Sequence, residues 1–408
     1  MTAPTDSTRV PGQTLNLALA TWAFALTFWA WNLVGPLASL YTDDLDLSSN
    51  QKALLVATPV LVGAVGRVPV GALTDRYGGR TMLSSLSFIS IVPVLLVAFA
   101  GNRDSYPLLL VFGFLLGIAG TSFAAGIPFV SAWYGPSRRG MATGIFGAGM
   151  GGTALSSFFT PRFVSWFGYT QAHVIIAVAL AATGVLLLAM MRNAPGWQPS
   201  NQPVMPKLKA AARLPVTWQM SFLYAVTFGG FVAFSTYLPT YLKDVYDFDL
   251  AGAGTRTAGF AVAAVIARPL GGVLSDRLHP RIVVLVSLLG AAVAAVLMAL
   301  KPQPEIPAGI VFVLMAFFLG LGSGGVFAWV ARRVPPERVG SVTGVVGAAG
   351  GLGGYFPPLV LGATYNEETH SYTIGLVLLV VTAAAAFVFT YLRLPREDRA
   401  GQPQRTTG

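Results

Sequence analysis

The sequence predicts an all-α polytopic membrane protein with twelve transmembrane helices in two pseudo-symmetric six-helix bundles. Three observations carry that prediction. Of 408 residues, 54% are hydrophobic and 10% charged, and the mean hydropathy is +0.66, a balance too apolar for a water-soluble chain of this length. Apolar stretches of about 20 residues, each long enough to cross a ~30 Å hydrocarbon core as a helix, recur twelve times. The third observation is an internal repeat. Arg67-Val-Pro-Val-Gly71-Ala-Leu-Thr-Asp75-Arg76 returns 201 residues later as Arg268-Pro-Leu-Gly-Gly-Val-Leu-Ser-Asp276-Arg277. Gly140-Met-Ala-Thr-Gly144-Ile-Phe-Gly147-Ala returns, offset by 200, as Gly340-Ser-Val-Thr-Gly344-Val-Val-Gly347-Ala.

The elements follow in order. Residues 1–13 are polar and read as a cytoplasmic segment. The first span, 14–40, is long and lacks a small-residue cleavage pattern, so it is expected to remain as a helix rather than be removed as a signal peptide. Spans 52–73, 81–100, 107–133, 140–160 and 171–191 complete an N-terminal bundle over 14–191. Residues 192–216 contain Asn-Ala-Pro-Gly-Trp-Gln-Pro-Ser-Asn-Gln-Pro and then carry Lys207, Lys209 and Arg213 with no acid, the composition of a cytoplasmic linker. Spans 217–242, 256–274, 282–300, 309–331, 341–363 and 372–392 form the C-terminal bundle over 217–392. The polar tail 393–408 is expected to be disordered.

Charge distribution orients this array. With the N-terminus inside, the inner segments hold 18 of the 26 Lys and Arg, and the outer ones six Lys and Arg with ten of the 16 acids. That asymmetry places both termini in the cytoplasm of a multi-pass protein of the plasma membrane. The net charge of +10 therefore reports topology rather than a nucleic-acid footprint. The absence of cysteine excludes disulfides, thiolate catalysis and Cys metal sites. The sequence shows no metal-ligand cluster, phosphate loop or nucleophile-base pair in context, so no enzyme activity and no cofactor is expected.

The two residues left over from this accounting are Arg67 and Arg268, alone among the 42 charged side chains in lying deep inside apolar segments. Eight residues at ~1.5 Å rise place Arg67 roughly 12 Å inward of Asp75. Snorkelling to the interface is the structural alternative, and that depth strains it. An intramembrane charge costs at least ~3 kcal/mol on insertion scales and marks a functional site by default. Two arginines facing one cavity would bind an anion, and a guanidinium fork suits a small planar oxyanion in a way that lysine cannot match.

Gly71-Ala-Leu-Thr-Asp75-Arg76-Tyr-Gly-Gly-Arg80 resembles the loop motif after the second helix of the major facilitator superfamily, usually Gly-x-x-x-Asp-Arg-x-Gly-Arg-Arg, with glycine here at the first position of the final pair. The resemblance implies a gating latch built from Gly71, Asp75, Arg76 and Arg80, with Asp276 and Arg277 as its repeat. The alternative is a charged, turn-rich loop. The fifth and eleventh spans are dense in glycine: Gly144, Gly147, Gly149, Met150 and Gly151 in one, Gly344, Gly347, Gly350 and Gly351 in the other. Small residues at three- and four-residue spacing let helices pack closely. Their density resembles the signature segments of the nitrate/nitrite porter family within that superfamily.

That resemblance covers the whole chain. It implies a major facilitator fold, alternating access, and nitrate or nitrite as substrate. Arg67 and Arg268 match the family's paired substrate-binding arginines in helices two and eight. Tyr224 and Phe228 match an aromatic pair of the seventh helix, the tyrosine hydrogen-bonding the anion. By weaker matching, Phe123 and Phe327 are the aromatics that sandwich it, although packing alone accounts for most membrane aromatics. Met150 stands where the family usually has asparagine and cannot donate an amide hydrogen bond, so a neighbour supplies it or the substrate preference differs. All 16 acids and the three histidines fall at span ends or in loops, which argues against a side-chain proton carrier. Exchange of nitrate for nitrite by a monomer in the bilayer is expected. Proton-coupled nitrate uptake, or carriage of another small anion such as cyanate or a short monocarboxylate, stays open.

Overall fold

Turn and cap chemistry divides the chain into helices more finely than hydropathy does. The computed structural model describes residues 10–200, 204–334 and 336–394; most of the polar N-terminal segment and nearly all of the 393–408 tail lie outside the described residues. The first bundle comprises α1 (Gln13–Leu45), α2 (Ser49–Tyr77), α3 (Gly79–Gly101) and α4 (Tyr106–Trp133). It is completed by α5 (Pro136–Gly147, Ala148–Gly151 and Gly152–Phe167, end to end) and α6 (Tyr169–Met190). The second comprises α7 (Pro215–Tyr246), α8 (Leu250–Leu278), α9 (Pro280–Ala299), α10 (Ile306–Arg333), α11 (Pro336–Gly353, then Phe356–Ala363) and α12 (Thr373–Arg393). A short helix, Val204–Ala212, lies in the connection between them.

Eleven of these are long and apolar enough to span a membrane. The other, α5, is long enough, but its glycines and serines dilute its hydropathy. The helices overrun the apolar stretches because polar turns continue the helical ladder past the hydrocarbon limit. Helix α7 thus runs through Lys243 and Asp244 to Tyr246 and ends on Asp247, a left-handed residue to whose carboxylate Lys243 donates at 3.2 Å. At the start of α2, Ser48 and Gln51 form a reciprocal capping box.

The repeat is visible in detail at the turns after α2 and α8. Gly78 has φ +82° in the first, and His279, 201 residues on, has the same φ in the second. A β-carbon at that φ costs about 1–2 kcal/mol, and the His279 ring Nδ1 accepts the Arg281 amide at 3.2 Å in partial return. Arg80 donates to the Leu188 carbonyl at the end of α6. Its counterpart Arg281 donates to the Tyr391 carbonyl at the end of α12 at 2.7 Å. Each half is stapled in the same way.

Between the halves, packing concentrates in the region remote from the chain termini. There α5 meets α8 so tightly that a β-carbon on Gly254 would sit 2.2 Å from the Ser157 carbonyl oxygen. Likewise α1 meets α7 at Gly35 and Thr236, and α2 meets α11 at Ala53 and Gly362. Toward the termini the corresponding surfaces are looser: a β-carbon on Gly144 or Gly344 would meet nothing within 4 Å. Large apolar side chains such as Val178, Val185, Val293 and Val381 face outward, as a chain surrounded by lipid requires.

Candidate anion-binding site

Proline and glycine chemistry positions the two arginines. In α2 the regular helix breaks at Gly66, because Pro69 has no N–H to offer the Val65 carbonyl. Gly66 packs directly on Thr121 of α4. In α8, Pro269 follows Arg268 inside the helix, and the Arg268 carbonyl lies where any side chain on Gly324 of α10 would collide. Each arginine therefore sits close to a proline, on a helix pressed against the helix two further along its own bundle.

The side chains converge. The Arg67 guanidinium carbon stands 5.2 Å from the Phe123 ring centroid and 5.6 Å from that of Phe228. Arg268 stands 5.7 Å and 5.2 Å from the same two rings, so the separation of the guanidinium groups cannot exceed the path through either shared ring. Arg268 also faces Phe327 at 5.6 Å and Tyr224 at 5.9 Å. The Tyr224 and Phe228 rings are stacked with centroids 4.9 Å apart, and Phe327 meets Tyr224 edge-on at 4.5 Å. The two arginines and the four aromatic residues singled out with them by sequence thus form one cluster contributed by α2, α4, α7, α8 and α10.

Hydrogen bonding leaves much of this donor capacity unspent. Arg67 is 4% exposed and donates Nη1 to the Gly347 carbonyl of α11 at 2.7 Å, while its Nε is buried without a partner. A guanidinium has five N–H donors. Arg268 donates Nη2 to the Tyr224 hydroxyl at 2.9 Å and Nη1 to the Met150 sulfur at 3.3 Å. Among the described residues neither arginine has an ion-pair partner within 4 Å. One buried and one half-buried cation beside aromatic faces, with no counter-charge among the described residues, make a candidate site for an anion.

The glycine-rich segments divide in role. Gly350 lies against the Tyr224 ring, where a β-carbon would sit 2.1 Å from it, and Gly351 lies against Ala64 and the Arg67 guanidinium. Gly347 supplies the carbonyl to Arg67, and Met150 the sulfur to Arg268. Gly149 packs on Phe24 of α1. Gly151 of the same turn approaches Val265 of α8, whereas Gly144 and Gly344 lie nearer the termini, away from the arginines. The residues of the loop motif form no part of the cluster. Asp75 is exposed, lines a cavity of ≈ 90 Å³ with Asn193 and Trp197, and accepts the Ser200 amide on its carbonyl. Its repeat Asp276 faces Arg332 at 3.6 Å. Arg76 lies over the Tyr77 ring.

Two helical bundles enclosing an uncompensated pair of guanidinium groups define a polytopic membrane carrier rather than an enzyme. The Major Facilitator Superfamily model matches residues 20–358, with a further match over 251–407. The chain belongs to that superfamily and, within it, to the nitrate/nitrite porter family. It is 60% identical over 393 residues, 96% of its own length and all of the relative, to the probable nitrate/nitrite transporter NarK2 of Mycobacterium tuberculosis (strain ATCC 25618 / H37Rv). It is 33% identical to the probable nitrate/nitrite antiporter NarK1 of Thermus thermophilus, over 94% of this chain and 92% of that one. Its fold is similar to that of a bacterial homologue of the human lysosomal transporter Spinster in an inward-facing, occupied conformation. The TM-score is 0.71 at 20% identity, covering 94% of this chain and 97% of the other.

Proposed function

We propose that the protein carries nitrate and nitrite across the cytoplasmic membrane by alternating access, exchanging one for the other, with the anion held between Arg67 and Arg268. The observation that carries this reading is the arginine pair, Arg67 buried with an unpaired Nε and Arg268 half-buried beside it, with no ion-pair partner among the described residues. The names of its relatives supply the substrate class. A flat monoanion set between the two forks takes parallel N–H donors from each side. Tyr224, already accepting from Arg268, keeps its own hydroxyl proton to donate. The rings of Phe123, Phe228 and Phe327 keep water out and strengthen those bonds.

Exchange follows from the same electrostatics. The empty site carries two like charges in a low dielectric, and one monoanion removes half of the excess, so closure around the site costs less when it is loaded. The latch motif at Asp75 and its repeat at Asp276 regulate the opening at the end bearing the termini, which the charge asymmetry places in the cytoplasm. Proteoliposomes test the reading. External nitrate should enter only where internal nitrite or nitrate is present. Equal accumulation into anion-free vesicles under a pH gradient would instead establish proton-coupled uptake. Arg67→Lys and Arg268→Lys should each lower exchange by roughly 30-fold or more, since lysine retains charge but loses the fork. Cyanate and short monocarboxylates serve as competitors, and equal competition by either would displace nitrate as the preferred substrate.

A further inference from the structure

A second set of buried charges lies at the end of the interface remote from the termini, apart from the arginine pair. Lys52, in the first turn of α2, is 5% exposed, and its Nζ donates to both carboxylate oxygens of Asp244 near the end of α7, at 2.9 and 2.7 Å. Asp244 also accepts from the Tyr372 hydroxyl just ahead of α12. Tyr372 in turn lies 3.3 Å from the Tyr237 hydroxyl and packs its ring against Tyr365 at 4.5 Å. The Asp244 carboxylate can only accept, so the Tyr372 hydroxyl is the donor in this contact. One and two turns back along α7 from Asp244, Thr240 is 1% exposed and Thr236 abuts Gly35 of α1, giving one helix face along the seam.

Among the described residues, the other ion pairs join Lys243 to Asp247, Arg256 to Glu305 and Arg332 to Asp276. All three lie within the second bundle and are more exposed. The Lys52 pair, with side chains 7% and 13% exposed, is far more enclosed and crosses from one bundle to the other. A buried ion pair adds little net stability, because dehydration offsets the attraction, yet removing one partner is strongly unfavourable. Its effect is therefore on which arrangement of the bundles is populated. Parting α2 from α7 at this end would admit water to both charges and lower the cost of their separation.

We propose that Lys52 and Asp244, braced by Tyr372, form the lock that holds the remote ends of the bundles together, and that this pair must break for that end to open. The inference rests on the alternating-access reading given above. It assigns these residues a role in the conformational cycle rather than in holding the anion. The chain has no cysteine, so Thr240→Cys introduces a single thiol into the seam.

In lipid nanodiscs, which leave both faces accessible, maleimide should label this thiol slowly in the otherwise native chain. Lys52→Met or Asp244→Asn should label it about tenfold faster. Lys52→Arg, and the charge-reversed pair Lys52→Asp with Asp244→Lys, should bring labelling back toward the slow rate, which a merely unfolded protein would not do. Unchanged labelling in both single variants, with the thiol fully reactive after denaturation, would overturn the lock. The readout needs no substrate. A shift in labelling without nitrate exchange would leave the lock standing and remove the substrate assignment, and nitrate exchange with no shift would do the reverse.

Discussion

At the scale of single residues, the proposed anion site sets two arginines against very few compensating groups, and each compensating group is testable. The Tyr224 hydroxyl accepts from Arg268 at 2.9 Å and is the one hydroxyl among the ring residues of the cluster. Tyr224→Phe keeps the ring stack on Phe228 and removes that oxygen, so nitrate affinity in a competition assay should fall about tenfold. Met150 is a second such residue. Its sulfur is a weak acceptor for Arg268 at 3.3 Å, and Met150→Asn replaces it with an amide that both accepts and donates. The nitrate-to-nitrite preference should change by roughly fivefold, with thermal stability nearly unaltered. An unaltered preference would mean that position 150 does not face the substrate. The arginines were legible in the sequence because a charge inside an apolar run has few benign explanations. The resemblance singled out position 150, but not the contact of its sulfur with Arg268, which depends on how α5 packs against α8.

At the scale of elements, close packing of α11 against α7 and α2 decides how near the site residues can come. A β-carbon at Gly350 would sit 2.1 Å from the Tyr224 ring. Gly→Ala in an ordinary helix adds about 1 kcal/mol of helix stability, but here Gly350→Ala should lower the thermal midpoint and abolish exchange by displacing Tyr224. Gly144→Ala, where nothing stands within 4 Å, should leave the midpoint unchanged or slightly raised. Loss of stability in both would show that the glycines serve only as general helix contacts. The sequence revealed the glycine density and its repeat, but not which glycine touches which ring. That depends on the rotation of α11 about its axis, which packing against two other helices sets.

At the scale of the whole molecule, two copies of one six-helix unit meet along a seam that carries the arginine pair centrally and an ion pair at the remote end. Among the described residues, the arginines touch a backbone carbonyl, a thioether, a phenol and aromatic rings, with no carboxylate or imidazole among their contacts. Exchange should therefore vary by less than about twofold between about pH 6 and pH 8, the range in which an ordinary histidine would change charge. A tenfold change across that interval, measured with equal pH on both sides, would point to a titrating group acting through the seam.

Composition, span periodicity and the 201-residue repeat determined the helical class, the division into halves and the two arginines, because apolar length and isolated charge are local properties of a chain. The pairing of Lys52 with Asp244 was beyond that reach. Each falls at the polar end of a span and, taken alone, looks like an ordinary interfacial charge. Only the tertiary structure, which brings together positions 192 residues apart and buries them between the bundles, distinguishes them from the charges that meet water.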